Sequence, residues 1–268
     1  MNNQVTKKND IQNNHNTIRD MLEKLKPQMA MAMPSHMTPD RMVRIALTEL
    51  RKNPKLCECD PLSFVASVML CGQLGLEIGV LGEAYLVPYK SQCTFILGYK
   101  GMIALARRSG EIISLTAHCV YENDAFKYSY GLNEVLEHTP ALTNRGDLIG
   151  VYAVAKLKGG GYQFDVLSKE HIDLIKGRSK ASSFGPWITD YDEMARKTAI
   201  RRLFKYLPAS VEMQKAVAFE EQLELVGTDT KSVLAESDGI DLNFLNEEMS
   251  ESEAVTSISQ ADAIAGSL

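Results

Sequence analysis

Residues 148–167 read LIGVYAVAKLKGGGYQFDVL. Two runs rich in aliphatic and aromatic residues flank Gly159-Gly160-Gly161. β-Branched and aromatic side chains suit a pleated, half-buried surface, and glycines between two such runs supply the positive φ of a tight hairpin turn. The stretch therefore predicts two antiparallel strands, 148–156 and 162–167. Working N-terminally, the same texture returns at 126–130, 111–121, 93–97 and 84–89, with one helical piece at 101–109.

Upstream of residue 84 the period changes. Ile18, Met21, Leu22 and Leu25 fall at helical spacing until Pro27, which ends or kinks that helix. Thr38-Pro39 and Asp60-Pro61 each set a capping side chain before a proline at the first helical position. The first of these opens a helix with a Met42, Ile45, Ala46 and Leu50 stripe and with Arg41, Arg44 and Arg51 on another face. The second runs through Phe64, Val65, Val68 and Met69 to about Leu74, where Gly75 serves as a stop. Met29, Met31, Met33 and Met37 read as adaptable packing or as a surface that meets a neighbouring subunit. After Ser168 the chain looks helical again. Helices, then mostly strands, then helices predict an α+β fold.

Hydrophobic residues make up 45% and charged residues 24% of the 268 residues, which excludes a collagen, a rod or a wholly disordered chain. No apolar run is long enough to span a membrane. The Asn-rich N-terminus lacks the apolar core of a signal peptide, so a cytoplasmic protein is expected. Cys57, Cys59, Cys71, Cys93 and Cys119 read as free thiols of a reducing compartment. Only Cys57 and Cys59 lie close in sequence, without the second pair or histidines a zinc site needs.

The net charge of −5 conceals an asymmetry. Residues 221–268 hold eleven acids and one base, Lys231, whereas residues 1–220 hold 28 bases and 23 acids. A basic body with an acidic tail suggests nucleic acid or a protein partner. The expected organisation is a disordered start (1–16), a body (17–226) and an acidic, mostly disordered tail (227–268) with a short docking segment at 240–245.

No nucleophile elbow, phosphate-binding loop or dinucleotide fingerprint is present. Asp190, Asp192 and Glu193 are the strongest catalytic candidates, as Mg²⁺ ligands of a nuclease. The competing reading is structural: these acids open a helix, where negative charge suits the dipole, and Asp190 with Glu193 fits a capping box. In the helix that follows, Lys197, Arg201 and Lys205 recur every four residues and Arg202 widens the arc. Arg196 lies nearer the apolar side and reads as a paired structural residue. Stacked cations repel. Lys176, Arg178 and Lys180 lie just upstream, making eight bases against three acids over 176–205, and the excess points to a polyanion. A second basic unit runs from Tyr99-Lys100-Gly101 into Arg107-Arg108, where a helix N-terminus suits a phosphate. Aromatic residues near these bases are few, and Trp187 reads as a loop anchor rather than a stacking platform.

Three stretches carry a family resemblance: 37–89, with SFVASVMLCGQLGLEIG and AYLVPY; 97–110, LGYKGMIALARRSG; and 185–208, GPWITDYDEMARKTAIRRLFKYLP. They resemble the RecT family of phage single-strand DNA annealing proteins, over roughly residues 30–220. The resemblance implies helices packed around a small antiparallel β-hairpin core, as in ring-forming annealing proteins. It implies an ATP-independent recombinase, without covalent chemistry, that anneals complementary strands during homologous recombination. The implied partners are single-stranded DNA, further copies in a ring or helical filament, a 5′→3′ exonuclease and a host single-strand-binding protein. No cofactor is expected, Mg²⁺ being at most a modulator of DNA binding. The expected groove has Lys100, Arg107 and Arg108 on one wall, Lys197, Arg201, Arg202 and Lys205 on the other, and Lys176, Arg178 and Lys180 at its rim.

Overall fold

A computed structural model describes residues 2–179, 182–183, 186–208, 210, 212–216 and 218, with side chains from residue 12 onward. Lys180, the acidic tail and its 240–245 segment lie outside the described residues. The backbone falls into two compact units, one containing the chain up to Ile96 and the other spanning Leu97–Val217.

The first unit is a helical layer with a hairpin. Helix α1 spans Asn2–Ala32, α2 Pro39–Lys52 and α3 Pro61–Gln73, with a 3₁₀ turn at Pro54–Glu58 between the last two. Pro27 lies inside α1 rather than at its end, and helical backbone extends back over the non-periodic residues 2–16. Both predicted caps form: Thr38 Oγ1 accepts from Arg41 N at 3.4 Å and Asp60 Oδ2 from Ser63 N at 3.1 Å. The Gly75 stop forms as well. Gly75 takes φ +62, Leu76 N donates to Cys71 O and Gly75 N to Gly72 O, each at 2.9 Å, which closes the orphan carbonyls of α3 in a Schellman arrangement. α1 packs on α2 and α3 through a core that includes Ile18, Leu22, Leu25, Met42, Leu50, Phe64 and Met69. Of the four methionines, Met29 and Met37 are buried and Met31 is exposed.

Strands β1 (Ala84–Tyr89) and β2 (Gln92–Leu97) pair across a two-residue turn, with Lys90 at φ +55. α3 is apolar all round and buried along Leu62–Gln73, so its two serines need internal partners. They find them on β2: Ser63 Oγ accepts from Cys93 N at 2.9 Å, and Ser67 Oγ donates to Cys93 O at 3.1 Å.

The second unit is a sheet with helices. β3 (Ile112–Tyr121), β6 (Leu148–Leu157) and β7 (Tyr162–Ser168) form an antiparallel sheet in the order β3-β6-β7, so residues 148–167 are the predicted hairpin. Gly160 in its turn has φ +92. β4 (Ala125–Ser129) and β5 (Val135–Thr139) form a separate antiparallel hairpin. β5 lies outside the strands that the sequence pattern predicts. Its five residues include Glu137 and His138, and tertiary hydrogen bonds rather than an apolar alternation hold it. Helix α4 spans Tyr99–Arg108, starting two residues before the predicted 101 because Gly98 adopts the extended N-cap conformation. α5 (Lys169–Arg178), α6 (Pro186–Thr189) and α7 (Tyr191–Phe204) complete the unit. α7 crosses all three strands of the sheet and also packs on α4 and α6. Among the described residues no helix is long and apolar enough to cross a membrane.

Candidate nucleic-acid interface

Each functional side chain is held by an identifiable piece of the second unit. The face of the sheet that receives α7 carries Val151, Ala153, Ala155 and Leu167, all buried, against Ala195, Ala199 and Leu203 of the helix. Small alanines let helix and sheet approach closely. Arg202 Nε lies 2.8 Å from Asp165 Oδ2, and Asp165 is the cross-strand partner of Ala153, which fixes the face of the sheet that Arg202 reaches.

The predicted capping box does not form. Asp190 precedes α7 but makes no side-chain cap; its carboxylate accepts instead from the Thr189 hydroxyl. Glu193 pairs with Arg196, which bears out the reading of Arg196 as structural. Asp192 accepts from the Tyr121 hydroxyl on β3. Burial first, and then that carboxylate, push the Tyr121 hydroxyl up to about 12. The three acids of the nuclease alternative thus point to three different protein partners. No group of three metal-ligating side chains converges among the described residues.

The basic residues divide into three sets. Lys197 and Arg201 are half-buried on α7, and Lys205 is exposed at its C-terminal cap, where positive charge suits the dipole. Lys100 lies in the first turn of α4 and Arg107 and Arg108 in its last, all exposed. Because α4 packs on α7, these two sets share one part of the unit. Gly101, expected to open the helix, is instead buried inside α4. The third set is Lys176 and exposed Arg178 in the last turn of α5. Lys176 Nζ lies 5.4 Å over the Tyr191 ring, beside the first residue of α7. The Tyr191 hydroxyl donates to Asp173 Oδ1 at 2.6 Å. Lys169 first, then Tyr191, hold the Asp173 carboxyl below its usual range.

Acids temper two of these positions. Arg202 is committed to Asp165, so it braces α7 on the sheet rather than standing clear. Glu212 lies close enough to Arg108 to feel its charge; its own backbone N–H first, then the Ser210 hydroxyl, hold it below the usual carboxylate range. Neither pairing follows from the pitch of one helix. Trp187 is buried and meets Tyr191 edge-on at 5.9 Å, the anchoring role expected of it, and Phe204 is buried too.

Behind the sheet lies a buried ionic latch. Asp124, with no side-chain exposure, accepts from Tyr121 N, Ala141 N, Arg145 Nε and Nη2, and contacts His138 Nε2 at 3.1 Å. Arg145 first among these hydrogen-bond partners holds its carboxyl far below the ordinary range. Arg145 also lies 4.1 Å over the Tyr121 ring, and His138 Nδ1 meets the Tyr152 hydroxyl at 3.2 Å. The latch fastens β5 and the loop that follows it to β3 and β6.

The chain matches the RecT family over residues 40–234. It is 51% identical over 207 residues to Protein RecT of Escherichia coli strain K12, covering 74% of this chain and 77% of that protein. It is 36% identical over 169 residues to the uncharacterized protein YqaK of Bacillus subtilis strain 168, covering 62% and 59% of the two chains. The match contains α4, α7 and the sheet between them: this chain belongs to the RecT family of DNA-binding, single-strand annealing recombination proteins.

Proposed function

We propose that this protein binds single-stranded DNA along its phosphates and anneals complementary strands without ATP. The observation that carries the reading is the packing of α4 on α7, two helices with exposed or half-exposed cations, within the family-matched segment. Phosphate contacts position a strand without reading its sequence and leave base edges free to pair. Neutralising phosphates on two strands also removes the repulsion that opposes their approach. Lys197, Arg201 and Lys205 form the central grip. Lys100, Arg107 and Arg108 form the flanking wall, with Lys176, Arg178 and Lys180 at the rim. Arg202 contributes long-range field while holding Asp165.

Residues 17–226 act as the annealing and oligomerisation body, and further copies make the groove continuous in a ring or filament. The acidic residues 227–268 dock a partner 5′→3′ exonuclease or a host single-strand-binding protein. The setting is the cytoplasm of a bacterium, with the chain encoded by a phage or prophage.

Titrating single-stranded DNA at several salt concentrations tests the grip. With about six phosphates neutralised, log K falls with log salt at a slope near −4, at roughly −0.7 per contact. A flat response overturns the groove. Labelled strands with Mg²⁺ should pair faster and remain full-length; cleavage would move the function to a nuclease.

A further inference from the structure

The sheet of the second unit has a face opposite α7, and it carries aromatic rings. The register aligns His118, Tyr152 and Val166 in one row, Thr116, Val154 and Phe164 in the next, and Ser114, Lys156 and Tyr162 in the third. Strand β4 and the residue after it add Phe126, Tyr128 and Tyr130 at every second position. Phe126 stacks on Tyr152 with centroids 5.7 Å apart, and Tyr130 stacks on Phe164 at 5.3 Å. Tyr128 meets Phe126 at 5.5 Å and Tyr130 at 5.6 Å, so the rings form a continuous strip.

The strip has two parts. At one end Phe126, His138 and Tyr152 are largely buried, the small core that holds the hairpin on the sheet. At the other end Tyr128, Tyr130 and Tyr162 keep 46%, 53% and 62% of their surface exposed. Anchoring the hairpin does not explain that exposure. Lys156 lies across from Tyr162 with its ammonium 5.9 Å over the ring, which sets a cation beside the open faces. The strip is also tied to α7. The Tyr130 hydroxyl accepts from Val166 N at 2.8 Å and donates to Asp165 Oδ1 at 3.4 Å, and the other oxygen of Asp165 holds Arg202. One carboxylate therefore fixes both the ring strip and a cation of the α7 arc.

We propose that Tyr128, Tyr130 and Tyr162, with Lys156, form a base-stacking site for single-stranded nucleic acid on the sheet face opposite the phosphate grip of α7, linked to it at Asp165. The proposal rests on the reading of α4 and α7 as that grip. Exposed rings beside a cation are the elements of a sequence-tolerant single-strand site. Stacking engages the flat face of a base and leaves its pairing edge open, which annealing requires.

The test compares an oligothymidylate with an abasic deoxyribose-phosphate chain of equal length, both bound to the full-length protein. A Tyr128→Leu/Tyr162→Leu double variant keeps apolar bulk but loses both rings. It should lose roughly 25-fold or more in affinity for the oligothymidylate, at about 5-fold or more per stacked base. Its affinity for the abasic chain and its salt slope should stay at wild-type values. Tyr128→Phe/Tyr162→Phe should restore binding. An equal loss on both chains, or none on either, overturns the site. So does a changed oligomeric mass by light scattering, which would assign the strip to contact between copies. As a check independent of any variant's folding, photo-crosslinking wild-type protein to iodouracil-containing strands should label Tyr128, Tyr130 or Tyr162; labelling confined elsewhere overturns the proposal. A failure of the phosphate reading looks different: wild-type protein would bind the abasic chain without salt dependence.

Discussion

The two units bury polar groups in opposite ways. In the first, the buried polar groups are neutral: Ser63 and Ser67 bond to Cys93 of β2, and Cys57, Cys59, Cys71 and Cys93 are buried thiols. Burial pushes Cys59 up to about 11 and Cys93 to about 12, so both remain protonated at neutral pH. In the second, carboxylates and guanidinium groups are paired: Asp124 with Arg145, and Asp165 with Arg202. The neutral arrangement costs little to bury and responds to nothing in solution. The ionic arrangement is held by charge, and it adjoins the cations assigned to the DNA. The first unit thus reads as framework and the second as the part whose electrostatics matter to function.

The largest effect should come from breaking the ionic latch. Asp124→Asn removes the charge that the buried carboxylate offers to Arg145 and to two backbone N–H groups, and should lower stability by roughly 1.5 to 3 kcal/mol, read by urea denaturation. The pH dependence follows from the depressed carboxyl. Its stabilisation is complete above the unfolded value near 4 and is lost as pH falls from there toward the lower folded value. Wild-type protein should therefore weaken steeply below about pH 4, and Asp124→Asn should flatten that decline. An unchanged acid profile would mean the latch contributes nothing.

Next in size is Arg201→Glu/Lys205→Glu. Reversing two cations of the arc should cut affinity for single-stranded DNA on the order of 100-fold, about 2.7 kcal/mol, while circular dichroism stays native. Unchanged annealing by this variant would remove α7 from the interface. The smallest effect belongs to the neutral unit. Ser67→Ala should cost roughly 1 kcal/mol of stability at any pH between 4 and 8 and leave DNA affinity alone. A pH-dependent loss there would erase the contrast between the units.

How much of this was legible depended on range. The hairpin at 148–167, the caps at Thr38 and Asp60 and the stop at Gly75 are local, set by a few neighbouring residues, and all form where the sequence places them. β5 escaped because its five residues are held by the Asp124 latch and by pairing with β4 rather than by their own pattern. The capping box failed because Thr189 engages Asp190 first. Within the site, the Lys197, Arg201 and Lys205 stripe is a matter of helical pitch and is read directly. The binding of Arg202 to Asp165, and the proximity of Glu212 to Arg108, join elements far apart in sequence. The aromatic strip is half-visible in the sequence: Phe126, Tyr128 and Tyr130 alternate in a predicted strand far along the chain from the basic helices, and Phe164 and Tyr162 join them only through the register.

The serines of α3 have one more consequence. An unpaired strand edge invites another chain to add to it, which leads to uncontrolled aggregation. At Cys93 both backbone groups of β2 are already occupied by hydroxyls from within the same unit. A family whose members are meant to gather many copies must keep accidental assembly apart from the ordered kind, and here a helix seals part of a sheet margin with two hydroxyl groups, at no cost in charge.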